Sequence, residues 1–135
     1  MKAINLFNKW VELGKDDGME VNHTPSVDYM FNLIPEHILK SHFTFLDIGC
    51  GNGWAVKKIS SMKECVNAVG IDGSENMIKK AISKDIISTY LKMDLNNLNV
   101  YIDSFDIVFS MEVFYYLQNP QKTINYIFNY LLKDN

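Results

Sequence analysis

The stretch Phe45-Leu46-Asp47-Ile48-Gly49-Cys50-Gly51-Asn52-Gly53 carries the strongest structural signal in the chain. Phe43 to Ile48 has the short, apolar character of a buried strand. Three alternate glycines follow it at 49, 51 and 53. Glycine permits positive φ and lets backbone approach a bound molecule where any Cβ would block it. A strand running into such a turn predicts a ligand seated there.

Two ligand classes use a glycine turn after the first strand of an α/β sheet: a dinucleotide, and an adenosyl sulfonium. The dinucleotide fingerprint is G-x-G-x-x-G, whose third glycine allows close helix–strand packing and whose turn faces a pyrophosphate. Trp54 stands where that third glycine belongs. Asp47, just ahead of the turn, would repel a pyrophosphate and attract an ammonium or sulfonium. Charge therefore favours the cationic ligand.

The stretch resembles motif I of the class I S-adenosylmethionine-dependent methyltransferases, D-x-G-x-G-x-G, matched by Asp47, Gly49, Gly51 and Gly53. Further along, Lys92-Met93-Asp94-Leu95 is similar to the family's adenine-contacting segment. Ser104-Phe105-Asp106-Ile107-Val108-Phe109-Ser110 resembles its strand-four motif, F-D-x-V before a small residue. The likeness spans about Phe43 to Lys133, with the motifs in family order. It implies a Rossmann-like, doubly wound parallel sheet, here preceded by N-terminal helices, and S-adenosylmethionine as cofactor. The implied cofactor-binding set is Asp47, Gly49, Cys50, Gly51, Gly53, Asp72, Gly73, Met77, Met93, Asp94, Leu95, Ser110 and Met111. Within it the glycine turn takes the methionine part, Asp72 the ribose, Met93 and Asp94 the adenine, and Ser110 and Met111 the methyl-bearing end.

Composition sets the bounds. At 135 residues and 47% hydrophobic content the chain is expected to be one domain with a real core. A net charge of −3, without a basic run, argues against a dedicated nucleic-acid or membrane surface. Cys50 and Cys65 lie outside any C-x-x-C and suggest a reducing compartment, and His23, His37 and His42 offer them no metal spacing. No signal peptide or membrane span is evident, so the expected location is cytoplasmic.

Periodicity orders the rest. Ile4, Phe7, Trp10 and Val11 recur at helical spacing and end at Gly14; residues 15–23 read as a polar connection; Thr24-Pro25 is expected to open a second helix. That helix carries Val27, Met30, Phe31 and Ile34 on one face before Pro35, and a short turn follows. After the glycine turn come a helix from Trp54, a strand from Val66 to Ile71 ending at Asp72, and a helix from Ser74 to Lys84. Asp72, about 20 residues past the turn, is placed to accept bonds from ribose hydroxyls. Ile86 to Met93 is expected as strand three, Phe105 to Ser110 as strand four, and Asn119-Pro120 as the start of a last helix.

Residues 1–42 are thus expected as a helical lid on the substrate side, and 43–135 as a partial cofactor-binding domain within one folded unit. The family fold continues past strand four, where this chain ends at Leu131-Leu132-Lys133-Asp134-Asn135. Strand four is then an apolar sheet edge, a candidate for covering by a second copy or a partner chain. The expected function is methyl transfer to an unidentified acceptor, a small molecule being favoured, by in-line displacement at the sulfonium methyl. The alternative is a non-catalytic cofactor-binding subunit or fragment completed by a partner chain. Substrate candidates are His23, in a loop able to fold over the site, and Glu112, Tyr115 and Tyr116 after strand four. No residue stands out as a catalytic base.

Overall fold

A computed structural model describes residues 2–14, 17–98, 104–111 and 113–133. In chain order the elements are α1 (Lys2–Glu12), α2 (Asp17–Asn32), α3 (Glu36–Leu39), β1 (Phe43–Ile48), α4 (Trp54–Ser60), β2 (Cys65–Asp72), α5 (Glu75–Lys84), β3 (Thr89–Lys92), β4 (Ile107–Phe109) and α6 (Pro120–Tyr126). Short 3₁₀ turns cover Leu95–Asn97 and Phe114–Tyr116, and a wide π turn, Ile127–Leu131, extends α6.

The strands form one parallel sheet in the order β3-β2-β1-β4. From β1 the chain steps outward through β2 and β3, then returns to add β4 on the other side. That reversal beside β1 is the topological switch point, where open α/β sheets leave a crevice at the strands' carboxyl ends. Asp47 pairs with Gly70 on one side and Phe109 on the other, so the ends of β1, β2 and β4 lie level.

Strand alternation splits the core in two. Phe43, Phe45, Ala68, Tyr90, Ile107 and Phe109 face α2, α4 and α5; Leu46, Ile48, Val69 and Ile71 face Phe105, Ile127 and Leu131. Phe31 of α2 meets Phe45 and Phe109 edge-on, with ring centroids at 6.1 and 5.3 Å. β4 contributes to both clusters, Val108 packing on the second. It is therefore apolar on both faces, as expected.

Three local expectations are corrected. Thr24-Pro25 does not open the second helix, because α2 already begins at Asp17 and Pro25 lies inside it. Proline fixes φ at a helical value, so a helix passes through it at the loss of one hydrogen bond; here fully buried Val27 and the Phe31 contacts hold the following turn in place. Strand three is shorter than Ile86 to Met93, since the Asp85 carboxylate accepts the amides of Ile87 (3.0 Å) and Ser88 (3.2 Å) and folds that segment into a turn. Ile86 and Ile87 are left exposed.

The third correction concerns β4, which is only Ile107–Phe109. Asp106 is diverted into the start of β1, accepting the Thr44 amide at 2.8 Å and its hydroxyl at 3.1 Å. Phe105 pairs in parallel with Leu132 instead: its amide donates to the Leu131 carbonyl (2.7 Å), and the Lys133 amide donates back to its carbonyl (2.9 Å). Residues 131–133 thus lay a first parallel rung on the outer side of β4. Ile107–Phe109 remain outermost among the described residues.

Candidate functional site

The glycine turn is fixed from below and behind. The amides of Gly49 and Cys50 both donate to the Ile71 carbonyl, at 2.8 and 3.0 Å, tying the turn to the end of β2. Gly49, Gly51 and Gly53 all have positive φ. At Gly49 a Cβ would also run into the Val113 side chain, and at Gly53 it would lie 2.7 Å from the Tyr90 ring. Cys50 is buried, its sulfur packed against Gly70. Its thiol is pushed well up by burial and then by the carboxylates of Asp47 and Asp72, so it stays protonated.

A cavity of about 480 Å³ opens over this turn. That lies within the range, roughly 300–1,000 Å³, of pockets that bury a small organic ligand. Asp47, Asp72 and Asp94 stand on its wall at the carboxyl ends of β1, β2 and β3. Each carboxylate has different neighbours. Asp72 is buried and accepts the Gly51 amide at 2.9 Å on one oxygen and the Ser74 amide at 2.8 Å on the other. Burial raises its pKa while those two amides hold it back. A carboxylate has about four acceptor sites, so Asp72 keeps capacity for a ligand's hydroxyls. Asp94 caps the next turn by accepting the Asn96 amide at 3.0 Å.

Asp47 is only 3% exposed and has no hydrogen-bond partner among the described residues. Burial, and then the neighbouring Asp72 charge, push its pKa up to about 8. A carboxylate that opens onto the cavity without a protein donor among the described residues fits a ligand that brings its own cation.

The N-terminal helices close the cavity. Ile4 and Phe7 of α1 and His23 and Val27 of α2 line it. α1 is held there by Asn8, whose side-chain oxygen accepts from the Ser74 hydroxyl and from the Asn76 amide (3.2 Å). Phe7 meets Tyr116 edge-on at 5.2 Å, so α1 and the segment after β4 form one aromatic wall. His23 stands in α2 rather than in the expected loop.

Of the residues singled out in the sequence, Asp47, Gly49, Cys50, Gly51, Asp72, Gly73, Met77, Asp94, Leu95 and Met111 come together on the wall, with His23, Tyr115 and Tyr116 opposite. Gly53, Met93 and Ser110 do not line it. Gly53 serves as the left-handed start of α4, Met93 packs into the second core cluster, and the Ser110 hydroxyl donates to the Ile48 carbonyl at 2.8 Å. Glu112 lies outside the described residues. Among those missed by sequence reasoning were Ile4, Phe7, Asn52 and Val113, whose place on the wall depends on folding contacts. Only the helical phase of Ile4 and Phe7 hinted at a packed face.

A Rossmann-like parallel sheet with acidic residues at the ends of its first three strands is the architecture of a class I methyltransferase fold. Residues 46–134 match the methyltransferase domain family, and the chain belongs to it. It is similar to protein 235L of Invertebrate iridescent virus 6, named a methyltransferase: 33% identical over 98 residues, covering 73% of this chain and 37% of the relative. A solved complex between the Haloferax volcanii Trm112 methyltransferase activator and a methyltransferase contains a chain of 30% identity, with a TM-score of 0.76, covering 94% of this chain and 55% of that one. An S-adenosylmethionine-dependent methyltransferase from Mesorhizobium loti is 26% identical, with a TM-score of 0.67, covering 82% and 48%. The chain thus spans between 37% and 55% of the length of these relatives. Among the described residues no helix is long and apolar enough to cross a membrane.

Proposed function

We propose that the cavity binds S-adenosylmethionine and that the chain serves methyl transfer to a small-molecule acceptor. The observation that carries this is Asp47, a carboxylate on the cavity wall with no donor among the described residues, beside Asp72 at the switch point. In this reading Asp47 faces the ligand's ammonium, the backbone of Gly49 and Gly51 its methionine part, and Asp72 its ribose hydroxyls. Asp94 and Leu95 take the adenine, and Met111 borders the methyl. When bound, the cofactor supplies a methyl group activated by a sulfonium. The chain's own contribution is alignment and exclusion of water, and alignment can supply roughly 7–11 kcal/mol of a barrier.

The acceptor is proposed to be neutral or cationic. Among the described residues three carboxylates and no lysine stand on the wall, and the sequence contains no arginine. Phe7, Tyr115 and Tyr116 offer it apolar surface, and residues 1–42 act as the lid. The two free cysteines support a reducing, cytoplasmic setting.

A second reading has the chain as a cofactor-binding subunit completed by a partner or a second copy. The outer edge of β4 favours it, as does the likeness to a chain solved with an activator. Sedimentation at high concentration separates the versions, since a monomer throughout rules out a second copy.

Thermal unfolding with S-adenosylhomocysteine, against NADH as control, tests the main reading. A ligand at a hundredfold excess over its Kd stabilises by about 2.7 kcal/mol. The adenosyl ligand should raise the midpoint and NADH should leave it unchanged; the reverse would assign a dinucleotide site.

A further inference from the structure

We propose that Phe7, Tyr116 and Tyr115 form a stacking shelf that selects a flat, uncharged aromatic ring as the methyl acceptor, with Tyr115 as the residue that decides specificity. The proposal deepens the methyl-transfer reading of the cavity and rests on it.

The geometry of the three rings carries the inference. Phe7 of α1 meets Tyr116 edge-on at 83°, with centroids 5.2 Å apart, and Tyr116 leans on Tyr115 at 39° and 4.4 Å. Aromatic quadrupoles favour such edge-on and offset arrangements. Exposure rises along the series, from half-buried Phe7 through Tyr116 at 37% to Tyr115 at 68%. All three line the cavity. Tyr126 and Tyr130 form a comparable pair, at 43° and 4.9 Å, but neither lines it, so position rather than pairing distinguishes Tyr115 and Tyr116.

The shelf is fixed from both ends before an acceptor arrives. α1 is tied through Asn8 to Ser74 and Asn76, and the turn Phe114–Tyr116 is followed by Gln118, whose amide donates to the Asn96 side-chain oxygen at 2.7 Å. Preorganised rings lose little freedom on binding. A cage for a cation needs ring faces that converge on one point. Phe7 and Tyr115 instead follow one another in a row joined through Tyr116. A flat ring laid against Tyr115 extends that row. Charge points the same way. An acceptor in line with the sulfonium meets a like charge if it is cationic, and an anion meets the carboxylates of Asp47, Asp72 and Asp94. An uncharged ring escapes both costs, which narrows the acceptor to a neutral aromatic compound.

The test is a set of equilibrium titrations of the chain saturated with S-adenosylhomocysteine. The probes are phenol, cyclohexanol, which matches its size but is not flat, and the charged rings benzylamine and benzoate. Phenol should bind saturably, cyclohexanol about twofold to tenfold more weakly, and both charged rings more weakly than phenol. Tyr115→Ala should weaken phenol by a similar factor and leave S-adenosylhomocysteine affinity unchanged. Tyr115→Phe should bind phenol as the unaltered chain does, and Tyr130→Ala should change neither ligand. Cyclohexanol binding as well as phenol, a charged ring binding better, phenol indifferent to Tyr115→Ala, or no probe binding at all would each overturn the proposal. So would a matching loss of S-adenosylhomocysteine affinity in Tyr115→Ala, which would put the shelf on the cofactor. The comparison of probes on the unaltered chain needs no variant to fold. Failure of S-adenosylhomocysteine to bind the folded chain overturns the cofactor assignment instead, and the same probes on the unloaded chain then decide the shelf.

Discussion

The phenol of Tyr90 donates to the Asp85 carboxylate at 2.6 Å and lies 3.3 Å from the Gly53 carbonyl, so one β3 side chain fixes the far end of the glycine turn. Burial and the adjoining carboxylate keep that phenol protonated. Tyr90→Phe leaves a buried carboxylate oxygen without its donor, and a loss of about 1–3 kcal/mol is expected in urea unfolding. Asp47 gives a second expectation at this scale. Its folded pKa, about 8, lies above its unfolded value of 3.8, so the folded state holds the proton more tightly between them. Its contribution is therefore complete below the unfolded value, declines as pH rises, and is lost above about pH 8. Ligand-free stability should fall between pH 6 and 8 with a slope from this residue of about 1.4 kcal/mol per pH unit near pH 6, easing to about half of that at pH 8. In Asp47→Asn that slope should be missing from urea midpoints measured across the same range. The acidic and glycine positions were legible because their chemistry is unusual at a strand end. Asp106 and Asn8 were not, since their partners Thr44 and Ser74 lie 62 and 66 residues away.

Among elements, β1 is found where its apolar run placed it, and α5 where Ser74 caps it by accepting the Met77 amide. Local signals failed where a distant contact or a competing side chain decided the outcome. Pro25 is a strong local stop, yet α2 continues through it because its apolar face packs on β1 and β4. Conversely, Ile86 and Ile87 have strand character, but Asp85 takes the amides that a ladder would use. The position of α1 over the cavity rests on Asn8, and this can be tested without disturbing the sheet. Asn8→Ala removes the acceptor for the Ser74 hydroxyl and the Asn76 amide, at about 0.5–1.5 kcal/mol per bond. Hydrogen exchange should speed up in α1 while β1 and β2 keep their protection, and S-adenosylhomocysteine should dissociate faster. Unchanged exchange in α1 would mean that Ile4 and Phe7 hold the helix by packing alone.

At the scale of the whole molecule, the sheet brings Asp47, Asp72 and Asp94 to one rim because parallel strands joined by helices end at the same side. This much was visible from the order of motifs along the chain. The join between Phe105 and Leu132 was not, as it depends on the π turn that swings residues 131–133 onto the outer edge of β4. The central claim is that this rim, and no other surface, receives the adenosyl cofactor. The most direct measurement is a series of amide ¹H–¹⁵N spectra of the chain titrated with S-adenosylhomocysteine. Saturable shifts should concentrate at Gly49, Gly51, Gly53, Gly73 and the amides from Asp94 to Asn96, leaving the outer edge of β4 unmoved. A folded chain whose spectra do not change, or change chiefly along Ile107–Phe109, would contradict it.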